Sequence, residues 1–232
     1  KTVGVTRLHL EEDAGKLVHG TPDGRLSGAS LTRVDYNRAG IPLAEIVSEP
    51  DMSTPMEARE YVLSLRRLVR YLGASDGDME SGSLRVDVNV SQKCPDGRLG
   101  GRVEVKNVNS VRAMERALEY EISRQREILL SGGQVHRETR HWDDSKGTTR
   151  GTRGKEEAQD YRYFPEPDLP PLVIDDGFVR AVERDLPELP WEKRERFQAE
   201  WGLSPEDSAT LSERLDLAEF LEGTVAHGAS KG

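Results

Sequence analysis

The most constraining feature of the sequence is the segment from Leu84 to Ser91, in which apolar and polar residues alternate without a break. Because successive side chains of a β-strand point to opposite faces of a sheet, this period of two predicts a strand with one apolar and one polar face. Residues 102–106 (RVEVK) alternate in the same way, and turn-forming residues at 94–97 (CPDG) separate the two segments. Two adjacent antiparallel strands would place four charged side chains on one surface: Arg85, Asp87, Glu104 and Lys106.

Two amphipathic helices are predicted, one before the first of these strands and one after the second. The first begins at Pro55 and stops at Gly73, with apolar residues at helical spacing between them. The second runs from about Ser110 to the glycine pair at 132–133. Further strand-like segments occur at 3–10, 31–36, 41–47 and 135–142. This mixture of separate strands and helices predicts an α+β domain with a largely antiparallel sheet.

The charge balance and the single cysteine narrow the classes of function. The chain holds 33 Lys and Arg against 42 Asp and Glu, a net charge of −9, which argues against general polyanion binding and against a DNA partner. Cys94 is the only cysteine, which excludes a disulfide framework or a multi-cysteine zinc site and favours a reducing compartment. No apolar run approaches the ~18 residues of a membrane span, so no membrane partner is expected.

Acidic residues that are predicted to lie on strands rather than on helix surfaces are the candidates for chemistry: Glu11, Glu12, Asp13, Glu80, Asp87, Glu104, Glu138 and Asp144. Carboxylates from neighbouring strands suit Mg²⁺, a hard cation that takes oxygen ligands and shares them with substrate phosphates. Arg85, Lys106 and Arg140 lie on the same predicted strands, and such an alternation of acids and bases suits phosphoryl transfer. A solvated sheet face with cross-strand ion pairs explains the same pattern, and spacing alone leaves both interpretations open.

Other familiar signals are absent from the sequence. It has no Walker-type loop and no GxGxxG motif, so an ATP site would not be of the P-loop or Rossmann kind. The five histidines include no pair at metal-ligand spacing, and Cys94 lies in a turn without an obvious base beside it.

Six motifs in a fixed order give the chain a specific resemblance. They are TRLHLEEDAGK at 6–16, IPLAEIVSEPD at 41–51, MESGSLRVDVNVS at 79–91, VEVKNVNS at 103–110, ETRHWDD at 138–144 and DYRYFPEPDLPPL at 160–172. Together they closely resemble the GatB family of the tRNA-dependent aspartyl/glutamyl amidotransferases, over residues 1 to about 200.

The resemblance implies a fold and a reaction. The fold is a glutamine-synthetase-like cradle domain, followed by a helical domain and a tail domain. The reaction is the ATP-dependent transamidation of Glu-tRNA(Gln) or Asp-tRNA(Asn), in which the side-chain carboxylate is phosphorylated and ammonia then displaces phosphate. The family's amidase (A) subunit releases this ammonia from glutamine, and its clamping (C) subunit holds the amidase to GatB. ATP and Mg²⁺ are therefore the implied cofactors, in a bacterial cytoplasm or an organelle.

The family motifs also imply roles for particular residues. Metal ligands in the family come from the LHxEED motif and from the acidic pair after the ETR motif, which here map to Glu12, with Glu11 beside it, and to Asp144. Three residues are implied as catalytic groups: Arg85, Glu104 and Lys106. Four are implied as nucleotide or phosphate contacts: Glu80, Arg85, Lys106 and Arg140.

The chain departs from the family pattern at both ends. The family opens with a strand bearing a Glu-x-His pair that adds metal ligands, and no such segment precedes Lys1. The family's tail domain, which is expected to help hold tRNA, does not follow Gly232. We therefore expect an internal fragment, with an incomplete cradle at 1–175 and the first part of a helical domain at 176–232. Such a fragment is expected to lack activity by itself.

Two alternatives to this enzymatic interpretation stay open. In the first, the chain is a binding module that docks the amidase and clamping subunits or tRNA and does no chemistry. In the second, it is a relative with a glutamine-synthetase-like fold that acts on a free amino acid.

Overall fold

The computed structural model describes residues 1–20, 29–94, 97–151 and 170–228. The chain divides into two compact units, Lys1–Thr54 and Pro55–Gly232. Most of the motif at 160–172, and part of the turn predicted at 94–97, lie outside the described residues. The combination of antiparallel sheets with helices confirms the predicted α+β class.

The first unit consists of two separate two-stranded antiparallel sheets. Its strands are β1 (Val5–Glu12), β2 (Lys16–His19), β3 (Thr32–Asp35) and β4 (Pro42–Ser48). Strand β1 pairs with β4, and β2 pairs with β3. Apolar runs predict three of the four strands, whereas the four-residue β2 is too short for such a run to stand out.

Two long helices begin the second unit. Helix α1 (Pro55–Tyr71) and helix α2 (Val111–Leu130) confirm both predicted helices. Ser110 caps α2, because its side chain accepts a hydrogen bond from the main-chain N–H of Ala113 at the otherwise unpaired first turn. The two helices pack against each other.

A four-stranded sheet forms the centre of the second unit. Its strands are β5 (Val86–Val90), β6 (Val103–Val108), β7 (Glu138–Asp143) and β8 (Thr148–Gly151), in that order. Strands β5 and β6 are antiparallel, as the alternation predicts, and so are β7 and β8. Strands β6 and β7 are parallel, an arrangement that needs a long crossover, and α2 supplies it.

Helix α2 covers one face of this sheet and forms the main core. Val103 and Val105 of β6 are 0% and 1% exposed, and Met114 of α2 is 1% exposed. The other buried members of this cluster are Val62, Val90, Val108, Ala113, Ala117, Leu118, Val135 and Trp142. Because Glu104 and Lys106 alternate with these buried valines, they project from the opposite face.

Four shorter helices follow: α3 (Asp176–Asp185), α4 (Pro190–Trp201), α5 (Pro205–Leu211) and α6 (Leu215–Ala226). The hydroxyl of Tyr71, at the end of α1, donates a hydrogen bond to the main-chain oxygen of Ser212 between α5 and α6. Arg67 of α1 forms an ion pair with Glu213 in the same turn. Helix α3 begins at the boundary expected near residue 176, and the division into cradle and helical domains stays a prediction. No helix in the described ranges has the length and apolar character to span a bilayer.

Candidate functional site

A cluster of charged side chains occupies the sheet face that points away from α2, called the polar face below. The ammonium of Lys106 lies 3.2 Å from Oδ2 of Asp87 on the neighbouring strand and 3.3 Å from Oε1 of Glu104 on its own strand. The other oxygen of Glu104 accepts a hydrogen bond of 2.9 Å from the hydroxyl of Thr139 on β7. Three adjacent strands therefore contribute to one polar network.

The carboxylates of Asp87 and Glu104 stabilise the charged form of Lys106. Partial burial lowers the pKa of this ammonium, but the ion pairs and hydrogen bonds with Asp87 and Glu104 more than offset that effect, so the pKa lies above its ordinary value. Lys106 is therefore positively charged at neutral pH. Its side chain is 41% exposed, which leaves it accessible to an anionic ligand.

Strand β7 adds to the polar face the first residue of the acidic pair at 143–144, of which the family motif implies Asp144 as the metal ligand. Thr139 is registered with Glu104, so the alternation along β7 places Asp143 on the same face. The Asp143 carboxylate accepts a 2.6 Å hydrogen bond from the Ser145 hydroxyl and lies 2.9 Å from Arg150 on β8. The hydrogen bond from Ser145, followed by smaller effects that include the charge of Arg150, lowers the pKa of Asp143. The alternation of side chains along β7, combined with its register against β6, is the signal that identifies Asp143.

Asp144, the predicted metal ligand next in sequence, has a different environment. Its Oδ1 accepts hydrogen bonds of 3.0 Å from the indole N–H of Trp142 and from the guanidinium of Arg116 on α2. Trp142 is buried in the core under α2. Asp143 and Asp144 therefore have separate sets of partners, and only Asp143 follows the alternation of the polar face.

Arg140 lies on the opposite face of the sheet from Lys106. It is registered with the buried Val105, and its guanidinium contacts Glu138, the fully buried Glu121 of α2, and both oxygens of Thr149. The strand pattern alone places Arg140 in one group with Arg85 and Lys106, and the register corrects this grouping. A nucleotide contact by Arg140 would require the network with Glu121 to break.

Arg85 and Glu80 lie before β5, whereas the sequence pattern predicts both on strands. Arg85 is exposed, directly precedes Val86, and donates a 3.4 Å hydrogen bond to the main-chain oxygen of Gly82. Glu80 lies in a turn held by the Asp78 side chain, which accepts from the Glu80 N–H at 2.8 Å.

Glu80 also lines a cleft of about 710 Å³ between α1, the turn that follows it and the start of α2. Other residues that line it include Arg59, Arg66, Asn109 and Arg112. Because Val86 is registered with Val108, the beginning of β5 and the end of β6 lie at the same end of the sheet. The cleft is thus adjacent to the end of the sheet at which Arg85 and Lys106 are found.

The remaining predicted metal ligands belong to the first unit. Glu11 and Glu12 are the last residues of β1, registered with Leu43 and Pro42, and both are exposed. As consecutive strand residues they point to opposite faces. Within the described ranges, no three His, Cys, Asp or Glu side chains are grouped closely enough to hold a metal ion. The metal set of Glu11, Glu12 and Asp144 stays a prediction.

Comparisons with known proteins agree with the motifs. Residues 1–180 match the model of the GatB/GatE catalytic domain. The B subunit of the aspartyl/glutamyl-tRNA(Asn/Gln) amidotransferase from Picosynechococcus sp. is 52% identical over 231 residues, which cover 99% of this chain and 46% of the relative. The proteins of the same name from Thermosynechococcus vestitus and Acaryochloris marina are 52% and 51% identical, over 99% of this chain and 46% and 47% of their own length. The chain thus spans about half the length of the curated relatives it matches, and the resemblance to the family is confirmed.

Proposed function

This chain belongs to the GatB/GatE catalytic-domain family, and from that premise we propose that it acts in the ATP-dependent transamidation of misacylated tRNA. The products would be Gln-tRNA(Gln) from Glu-tRNA(Gln) and Asn-tRNA(Asn) from Asp-tRNA(Asn). The enzyme class is a ligase that forms a carbon–nitrogen bond with glutamine as the amido donor. The relatives named as aspartyl/glutamyl-tRNA(Asn/Gln) amidotransferase proteins support the proposal.

The structural observation that best supports this function is the position of Lys106 between Asp87 and Glu104. A carboxylate is a poor acyl donor, and its activation by phosphorylation requires fixed positive charge around the transferred phosphoryl group. Lys106 supplies such a charge, and its two carboxylate neighbours fix the direction of its ammonium. Arg85, at the same end of the sheet, is proposed as a second phosphate contact. Glu80 is proposed as a nucleotide contact from the adjacent cleft.

Among the described residues, the carboxylates on the polar face are not grouped closely enough to hold a metal ion by themselves, but Mg²⁺ is usually bound by one or two carboxylates together with substrate phosphates. Asp87, Glu104 and Asp143 offer carboxylate oxygens, the donors that Mg²⁺ prefers, and no soft sulfur ligand lies among them. We propose that carboxylates of this set hold Mg²⁺, and the family motifs imply the same role for Glu11, Glu12 and Asp144. When bound, the ion supplies charge neutralisation at the phosphoryl group.

The proposed reaction has two displacement steps. An oxygen of the aminoacyl side-chain carboxylate attacks the γ-phosphorus of ATP, and the bond to the leaving ADP breaks. Ammonia then attacks the acyl carbon, phosphate leaves with the electron pair of the broken carbon–oxygen bond, and the departing phosphate takes up the proton that the nitrogen loses. Lys106 and Arg85 hold the phosphate oxygens in both steps, and Glu104 orients Lys106.

The partners proposed for this function are the amidase (A) subunit, the clamping (C) subunit and the misacylated tRNA. The relatives are named as one lettered subunit of an amidotransferase, which supports a multi-subunit assembly. The proposed location is the bacterial cytoplasm, where translation takes place.

A docking function is the second candidate, because one helix presents an apolar surface. In α3, Phe178, Val179 and Val182 are 58%, 45% and 46% exposed, and no residue of this helix is buried. An exposed apolar stripe of this kind is typical of a surface that contacts another protein. In this alternative the chain binds the amidase and clamping subunits and does no chemistry.

Reconstitution with the amidase and clamping subunits and a misacylated tRNA separates the two functions. The enzymatic proposal predicts ATP-dependent formation of an acyl phosphate and of the amidated tRNA. It also predicts that Glu12→Ala abolishes tRNA amidation and leaves the glutaminase activity of the amidase intact. Amidation retained by Glu12→Ala would contradict the metal role. Stable co-purification of the subunits without any ATP-dependent product would favour docking.

A further inference from the structure

The spacing of buried valines in β6 requires an irregularity in the strand. Val103, Val105 and Val108 are 0%, 1% and 5% exposed, so all three side chains point into the core. Positions 105 and 108 differ by an odd number of residues, and in a regular strand they would face opposite sides of the sheet. One extra residue must therefore be accommodated between them.

A β-bulge provides this extra residue. Val88 is registered with Val105, but Val86 is registered with Val108, so Lys106 and Asn107 together oppose Asp87. Both residues of the bulge thereby avoid the core. The register of Val88 with Val105 already places Lys106 opposite Asp87, and the bulge adds Asn107 beside it and returns Val108 to the core opposite Val86.

Asn107, the second residue of the bulge, has a left-handed backbone conformation. Its φ of 65° makes it the one non-glycine residue with a positive φ in the described part of the chain. The left-handed region is unfavourable for most L-residues, and asparagine tolerates it better than others do. Strained positions of this kind are retained where the surrounding structure holds them, and they cluster at functional sites.

The side chain of Asn107 joins the bulge to the next strand. The pairing of β6 with β7 reaches Lys106 and His141, and beyond it the Asn107 amide donates a 3.0 Å hydrogen bond to the main-chain oxygen of Trp142. This side-chain bond continues the link between the two strands beyond their last registered pair. It holds the end of β7, where Asp143 lies, beside the end of β6.

We propose that Asn107 is a positioning residue: its left-handed backbone and its bond to Trp142 hold Lys106 against Asp87 and Glu104 and keep the end of β7, which carries Asp143, beside the end of β6. This inference rests on the proposed function only for its effect on catalysis. The effect on the position of Lys106 is independent of any activity. Asn107 would contact no substrate itself.

The variant Asn107→Gly tests this inference, because glycine tolerates the positive φ without strain and removes the side chain that donates to Trp142. The matched control is Gln134→Gly, which removes an exposed amide side chain from the loop before β7. Both variants are compared in the complex reconstituted with the amidase and clamping subunits. Should Asn107→Gly fail to fold, Asn107→Asp carries the same prediction, since aspartate also tolerates this conformation and its ionised carboxylate cannot donate.

The first readout is the acylation rate of Lys106 relative to the exposed Lys93, measured by mass spectrometry after brief exposure to an amine-reactive reagent. We expect Lys106 to become about two- to tenfold more reactive in Asn107→Gly. The loss of one hydrogen bond changes the population of the held lysine conformation by about this factor. No change is expected in Gln134→Gly. An unchanged Lys106 reactivity would overturn the inference, whatever happens to activity.

The second readout separates positioning from simple loss of structure. We expect kcat for tRNA amidation to fall by about tenfold or more, with the KM for tRNA unchanged. Both constants are measured at a temperature well below the melting temperature of the variant. Higher Lys106 reactivity with an unaltered kcat would contradict the role of Lys106 in the proposed function and, with it, the catalytic part of this inference. An equal loss of activity in Gln134→Gly would also overturn it.

Discussion

The ammonium of Lys106 lies 3.2 Å from the carboxylate of Asp87, across the two strands whose alternation indicates a sheet with a polar face. Glu104 approaches the same ammonium at 3.3 Å, so that one cation is shared by two anions. Exposed ion pairs of this kind contribute little to stability. Their effect here is to orient a charge, which is what a phosphate site requires.

The first prediction concerns the alkaline pH dependence of Lys106. Because its pKa is raised in the folded chain, its contribution to stability is fully present below its ordinary pKa of 10.5 and is lost as the pH rises through the folded value. We expect the wild-type chain to be slightly more stable than Lys106→Met at pH 8 and to lose this advantage above about pH 10.5. Urea unfolding of both proteins at a series of pH values measures the difference; an advantage that grows with pH would contradict the assigned shift.

The second prediction concerns the bond that ties α1 to the turn before α6. Tyr71→Phe removes the hydrogen bond to Ser212, and we expect a loss of about 1 kcal/mol in the free energy of unfolding. Burial, as the largest effect, raises the pKa of Tyr71 from 10.0 to about 12, so wild type should also lose stability between pH 10 and pH 12. The variant lacks this step. Tyr120→Phe serves as the control, since Tyr120 contacts Trp142 through its ring, and an equal loss there would contradict the prediction.

The third prediction tests the core between α2 and the sheet. Met114 is 1% exposed, so Met114→Ala should lower the free energy of unfolding by about 2–5 kcal/mol through lost burial and a residual cavity. Met56→Ala, at a position that is 64% exposed, should change it by no more than about 0.5 kcal/mol. Similar losses in both variants, measured by thermal or urea unfolding, would show that α2 does not cover the sheet as described.

The fourth prediction concerns the buried charge of Glu121. This residue is 0% exposed and its carboxylate is held by Arg124, with Arg140 at 3.7 Å. Removal of one member of a buried charge network leaves the others without compensation, so Glu121→Ala should cost about 3–5 kcal/mol. The exposed Glu119, two residues earlier on the same helix, provides the control Glu119→Ala. A cost below about 1 kcal/mol for Glu121→Ala would mean that the network is open to water.

Local patterns are sufficient to predict much of the fold. Strict alternation predicts β5 and β6 and their antiparallel pairing, and helical spacing with capping residues predicts α1 and α2. The bulge at Asn107 also has a signal, because the valines at 103 and 105 are followed by one at 108 and not at 107. Only the register with β5 shows that this break in the alternation is a bulge and not the end of the strand.

Other features depend on contacts between distant segments, and periodicity does not determine them. The parallel pairing of β6 with β7 determines which side chains of β7 point to which face of the sheet. Asp143 thereby lies on the polar face and Arg140 lies beneath α2. Glu80 resembles a strand residue because it precedes the alternating run, but a turn stabilised by Asp78 holds it beside the cleft. The predicted roles of these residues in catalysis stay predictions.

The most direct test of the proposed site is a comparison of Lys106→Met with Lys93→Met in the complex reconstituted with the amidase and clamping subunits. Lys93 is an exposed lysine in the connection between β5 and β6 and serves as the charge-matched control. The measurement is the initial rate of ATP-dependent formation of Gln-tRNA(Gln) from Glu-tRNA(Gln), with glutaminase activity measured in parallel. We expect Lys106→Met to lower the amidation rate by about 100-fold or more and to leave glutaminase activity intact, and Lys93→Met to resemble wild type in both. An amidation rate for Lys106→Met equal to that of Lys93→Met would contradict the assignment of the polar face as the site of phosphoryl transfer.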